Sequence, residues 1–305
     1  MRKRHERSGT LIPIEGSFWV RPKIQIHSVR KFQQQLAGRG IMANSPRLWA
    51  NPPGNSPLPL PSQPMFFSMA QLSEMSFPNM PAGDSVDLNG LKEYIGKFTL
   101  ENGKMVKDII DLDKRRPLLI VGELANPYRL CDLMAPDMPI IPVRLEGICR
   151  TWADNLDARD IQPGIHHVTL ARSPGWWERS FITLLELPDM KKLVSWLDGP
   201  NSMTWAPKRL AEGVIRLEND MDIMFPKFEE ISWDGIEERV EVDVPAPNGP
   251  ALDLSTIMVP INTRSGCYNS RGRVIRCAHY PQTEFHETLF RRGSSFKWDR
   301  MLNYL

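Results

Sequence analysis

The chain has 305 residues, 41% apolar and 24% charged, with a formal net charge of +2, the proportions of a globular protein of one or two domains. A folded part of about 200 residues buries a core without help from a metal or a disulfide. No window holds ~18 consecutive apolar residues, which excludes a membrane-spanning helix.

The charge is uneven. Residues 1–50 carry ten Lys/Arg against two Glu, leaving the remainder near −6. The head, Met1 to Arg7, has no apolar segment behind it, so no secretory signal is expected. Arg-rich, acid-poor residues 21–41 read either as a solvated tail or as an organelle-targeting segment, and Met42 and Met65 as alternative starts. Residues 45–81 hold nine prolines, and Pro57-Leu58-Pro59-Leu60-Pro61 fits neither a helix interior nor a central strand. The expectation is a disordered, basic and proline-rich region over 1–83 and one folded domain over 84–305. The expected location is cytoplasmic, with organelle targeting by the basic N-terminus as the alternative.

Within the domain, Val86 to Ile95 reads as a short helix and Asn102-Gly103 as a hairpin turn. Leu118 to Val121 is a continuous apolar run, as in a buried strand, and Gly122 ends it. Asn126 caps and Pro127 opens a helix running to Met134, with Leu130, Leu133 and Met134 on one face. Pro139 to Trp152 is a strand. A Pro163-Gly164 turn, a strand His167–Ala171, a turn at Ser173–Gly175 and a strand Trp176–Glu186 follow. Pro188-Asp189 starts a helix over Met190–Leu197 that Gly199-Pro200 stops. Pro207–Asn219 reads as helical, Val240–Val244 and Leu252–Val259 as strands, Thr283–Arg291 as a last helix before the aromatic tail Phe296–Leu305. The order predicts an α+β fold: a small, mostly antiparallel curled sheet or barrel flanked by helices.

The four cysteines form no C-x-x-C pair, and their spacing matches no zinc set. Buried thiols in a reducing compartment are expected, with no zinc site and no disulfide. His166 and His167 are neighbours on a strand, point to opposite faces, and read as structural. Trp176, Trp177 and Trp196 read as core or groove walls. Arg144, Arg150, Arg291 and Arg292 read either as water-facing or as contacts for an acidic substrate.

The segment Ile120-Val-Gly-Glu-Leu-Ala-Asn-Pro-Tyr-Arg-Leu130 resembles the opening of the γ-glutamyl cyclotransferase-like superfamily, which has a strand, a Tyr-Gly-Ser/Thr-Leu loop and an Asp/Asn-Pro helix start. Pro142 to Ile148 is similar to the family's second strand, and Leu193 to Asp198 to the end of its central helix. Val240 to Leu252 is similar to the next hairpin, and Pro281 to Phe296 to the closing helix. The likeness runs over about 117–305 with an insertion near 200–227.

The resemblance implies a transferase or lyase that cyclises a γ-glutamyl amine or peptide to 5-oxoproline. Ring closure between tethered atoms is easy, so the protein supplies a carboxylate base and backbone N–H groups for the substrate. No cofactor, metal or membrane is required, nucleic acid is not an expected partner, and the oligomeric state is left open. The implied substrate-binding bend is Val121, Gly122, Glu123, Leu124 and Ala125. Glu123 reads as a charge favoured by a helix start, ahead of a second carboxylate in the pocket.

Three family positions differ. Val121 replaces a tyrosine, Glu123 a small hydroxyl residue, and Asn201 the catalytic glutamate. With the insertion inside that turn, Glu229 or Glu230 takes the base position; the plain alternative is a solvated acidic turn. The altered positions also support a second reading, a catalytically inactive domain of the same fold that binds a ligand or a protein.

Overall fold

The computed structural model describes residues 63–69, 71–125, 127–156, 166–198, 204–219, 223–290, 293–296, 302–303 and 305. The expectations for 1–62, for the Asn126 cap, the Pro163-Gly164 turn, the Gly199-Pro200 stop, Asn201, Arg291 and Arg292 lie outside these residues.

The fold is α+β and mostly antiparallel. Two very long strands, β5 (Met138–Leu156) and β6 (His166–Glu186), pair along most of their length. β6 also pairs with β4 (Arg115–Ile120). β5 takes further partners along its other edge. These are β1 (Met65–Ser68), β8 (Val214–Leu217) and β13 (Cys267–Ser270). β1 continues through β2 (Gln71–Ser76) to β3 (Thr99–Leu100), and β8 to β11 (Ala251–Asp253). β13 is flanked by β14 (Arg273–Val274) and β15 (Ser294–Phe296). β7 (Trp205–Lys208) pairs with β12 (Val259–Asn262), and β9 (Ile231–Trp233) with β10 (Glu238–Val240), as separate two-stranded ribbons. The described strands do not close into a barrel.

The sheet is buried on both faces, and strand alternation sorts the core. Along β4 and the residue after it, Leu118 and Ile120 enter one cluster while Leu119 and Val121 enter another. β6 does the same with Phe181 and Leu185 against Ile182 and Leu184. The helices close these faces. α1 (Leu88–Gly96) is capped by Asp87, whose carboxylate accepts from Gly90 N–H at 2.7 Å. α2 (Pro127–Leu133) buries Leu130 and Leu133, and α3 (Leu187–Trp196) buries Met190, Leu193 and Val194.

Several expectations are corrected. The domain does not begin at residue 84. Met65, Phe66 and Phe67 are fully buried, and β1 pairs with the middle of the sheet. The proline-rich composition masked a four-residue strand. Ser173–Gly175 is not a turn between two strands but a bulge inside β6. Four residues there stand opposite Gly147, with Gly175 at φ +74° and Gly147 at φ +77°.

Pro207–Asn219 is not helical. It holds β7 and β8, and Ile215 and Leu217 alternate inward with a period of two. Val240–Val244 keeps only its first residue in a strand, and Leu252–Val259 is broken by a 3₁₀ turn at Leu254–Thr256. Met134 is exposed because it ends α2 in the left-handed region, at φ +49°. The last helical segment is Gln282–Glu284, running into a π-turn at Phe285–Leu289.

Since β1 is part of the core, Phe67→Ala should destabilise the chain by about 3–5 kcal/mol. A denaturant-unfolding midpoint unchanged from the wild type would show β1 to be dispensable.

Candidate functional site

The bend that leaves β4 is built from backbone geometry and one buried ion pair. Gly122 has φ +58°, and a Cβ there would lie 2.8 Å from Val168 Cβ, so only glycine fits between the bend and the head of β6. Gly122 to Ala125 then form a 3₁₀ turn whose four residues are all buried. Val121, Leu124 and Ala125 pack into the core. Glu123 points to Arg129 of α2, with Oε2 2.7 Å from Nε, and the two side chains are only 2% and 6% exposed. The Arg129 guanidinium lies 5.8 Å from the Trp196 ring centroid at the end of α3. One residue pair thus ties the bend to both helices. At the end of that central helix, Asp198 accepts from Thr204 N–H at 2.5 Å, Thr204 Oγ at 2.7 Å and Trp205 N–H at 3.0 Å.

Glu229 and Glu230 sit elsewhere in the core arrangement. They belong to a 3₁₀ turn, Phe228–Glu230, that leads into β9. Glu229 is exposed, and Glu230 accepts from Lys227 N–H at 2.7 Å. Phe228 anchors the turn against His279 and Tyr280, with ring centroids 5.8 and 6.1 Å apart, and Arg273 stacks over it at 5.1 Å. Ile231 enters a cluster with Cys149, Trp176 and Cys267, whereas Leu124 and Ala125 belong to the cluster around α3. The carboxylate standing at the bend is Glu123.

The arginines do not simply face water. Arg144 is buried between Glu146 at 2.8 Å and Glu218 at 3.0 Å. Arg150 reaches the fully buried Glu178, which also accepts from Arg150 N–H at 2.7 Å. Arg276, which no motif singled out, donates to Ser173 Oγ at 2.7 Å and to Glu238 at 2.9 Å. Trp176 and Trp177 are buried. Burial pushes the Cys149 thiol up to about 12, which makes it a core group rather than a nucleophile.

His166 and His167 do face opposite ways. His167 packs edge-on against Trp205 at 5.1 Å. His166 lies among Phe285, Phe290 and His286, with Nδ1 3.2 Å from Ala153 O and Nε2 2.9 Å from His286 Nδ1. Among the described residues no three His, Cys, Asp or Glu side chains are grouped to hold a metal ion, and no helix is long and apolar enough to cross a membrane. No family model, no curated protein and no solved structure matches this chain.

Two outcomes follow from this geometry. Glu123→Gln removes one partner of a buried pair and should cost about 3–5 kcal/mol in chemical denaturation, while Glu229→Gln should leave the midpoint in place. His166 is shifted down to about 4, by burial first and by His286 second. The unfolded chain therefore binds a proton between about pH 6.5 and 4 that the folded chain refuses. The contribution of His166 to stability is full above pH 6.5 and falls as pH drops to about 4. His166→Phe should flatten this slope in urea unfolding measured across the window; an identical slope in both proteins would exclude His166 as its source.

Proposed function

We propose that residues 63–305 form a binding module of γ-glutamyl cyclotransferase-like type that does not cyclise its ligand. The observation that carries this reading is the Glu123–Arg129 pair. The acid at the bend is engaged by a guanidinium inside the core, with its side chain 2% exposed. A general base must reach the proton it removes, by direct contact or through one water, and a carboxylate locked in a buried pair is poorly placed to do so. The two acids that the resemblance nominated as the base have other duties. Glu230 caps its own 3₁₀ turn, and Glu229 faces solvent. Val121 supplies apolar packing where the family has a tyrosine hydroxyl.

The class itself is supported by the order of elements. A buried strand (β4) is followed by a glycine bend, a proline-started helix (α2), two long antiparallel strands (β5, β6) and an amphipathic helix (α3). This is the order that the sequence resemblance implies.

The test is an assay for amine and 5-oxoproline release from γ-glutamyl amines and dipeptides with the full-length chain. Release should stay at the uncatalysed rate, and Glu229→Gln, Glu230→Gln and Glu123→Gln should change nothing. Turnover by the wild type that any one of these substitutions abolishes would restore the enzymatic reading and identify its base.

A further inference from the structure

The bulge in β6 creates a second place where chemistry is concentrated, away from the Gly122 bend. Trp176 comes from the bulge itself and is fully buried. Arg276, in the turn after β14, is brought over it by an antiparallel bridge between Thr151 and Arg276. Its guanidinium carbon lies 4.8 Å from the Trp176 ring centroid. Phe225 also stacks on this ring at 6.0 Å, and His279 meets it edge-on at 5.3 Å.

Two donors in this group make no well-formed hydrogen bond among the described residues: Trp176 Nε1–H and Arg276 Nε–H. The residues that carry them are 0% and 3% exposed. A buried N–H without an acceptor is destabilising, more so on a charged group. Several neighbouring polar atoms are already committed. Ser173 Oγ and Glu238 take the Nη2 of Arg276, and His279 Nε2 sits 2.8 Å from Pro226 O.

The charge count points the same way. Glu238 is shared, with Oε1 on Arg273 at 3.1 Å and Oε2 on Arg276 at 2.9 Å. Two guanidinium groups thus divide one carboxylate. Burial also lowers His279, so it adds no charge near neutral pH. Two such donors and an excess of positive charge beside aromatic rings favour a negatively charged acceptor, and low local dielectric strengthens that preference.

We propose that the β6 bulge binds a small oxyanion, a carboxylate or phosphate group, through Trp176 Nε1–H and Arg276 Nε–H. The site is independent of the Gly122 bend and of whether the domain turns over γ-glutamyl compounds. Phe228 places the Glu229–Glu230 turn at the rim of this group, so the stretch after the inserted segment borders a site, though a different one from the bend.

The indole N–H resonances report the binding directly. The chain has nine tryptophans, and Trp176→Phe identifies the resonance of interest by its loss. The full-length ¹⁵N-labelled chain is titrated with sodium phosphate and, separately, sodium acetate, at constant ionic strength set with sodium chloride. The Trp176 indole signal should move saturably with at least one of the two, and which one distinguishes phosphate from carboxylate. The Trp177 and Trp152 indoles donate to Met224 O at 2.6 Å and Tyr280 O at 3.1 Å, and should stay in place.

Arg276→Lys keeps the charge and removes the Nε–H donor; it should weaken the binding at least tenfold. No saturable movement with either anion means that the donors meet only water, and overturns the proposal. Equal binding by Arg276→Lys overturns it as well. Should Trp176→Phe fail to fold, a saturable indole shift present in the wild type and lost in Arg276→Lys still supports the site, and its absence in the wild type still rejects it.

Discussion

The pairing of β5 with β6 is the constraint on which the rest depends. These strands are 19 and 21 residues long, well beyond the usual 5–6 or so. A ladder that long cannot stay flat, because strands twist. The register shift at Gly147 opposite the four-residue bulge divides it in two. One half carries β4 and β8 and holds the large core clusters. The other half carries β13 and the aromatic cluster of Trp152, Phe285 and Tyr268. The bending brings Val168, in the second half, against Gly122, at the end of β4 in the first.

Charges flank the bulge on both sides: Arg144 and Glu178 are buried, and Glu146 and Arg150 are partly exposed beside them. Each is matched by an opposite charge, some by two. Breaking such a pair is costly even where its net contribution to stability is small. The pairs therefore fix which segments pack where more than they add free energy. Arg144 also donates to Pro245 O at 2.9 Å and so pins the irregular stretch after β10 onto the sheet.

For function, the decisive contrast is between carboxylates of one type in three settings. Glu123 is buried and paired, Glu230 is a local cap, and Glu229 is solvated. None combines a concealed position with freedom to accept a proton. A binding role is consistent with all three. The donors at the β6 bulge offer buried N–H groups that make no well-formed hydrogen bond among the described residues.

Part of this was legible in the residues alone. The apolar run Leu118–Val121, the glycine that ends it, the proline at the start of α2, the strand over 139–152 and α3 all follow from local propensity and periodicity. These act over a few residues and need no distant partner. The antiparallel α+β class followed from their order. The bulge was read as a turn because Ser-Pro-Gly is turn chemistry in either setting, and only pairing with Gly147 keeps the strand running through it. Pro207–Asn219 was read as helical because its few apolar residues fit both periods; Val259–Asn262 and Ala251–Asp253 decide for strands by pairing with it. The partners of Glu123, Arg276 and Trp176 depend on register and bending across long loops, for which a single arginine or tryptophan in the chain carries no signal. The sequence by itself determined β4, the glycine bend that ends it, the proline start of α2, most of β5, and α3, each set by local propensity. The tertiary structure alone decided which charges meet, because opposite charges far apart in the chain are brought together by sheet pairing and not by spacing.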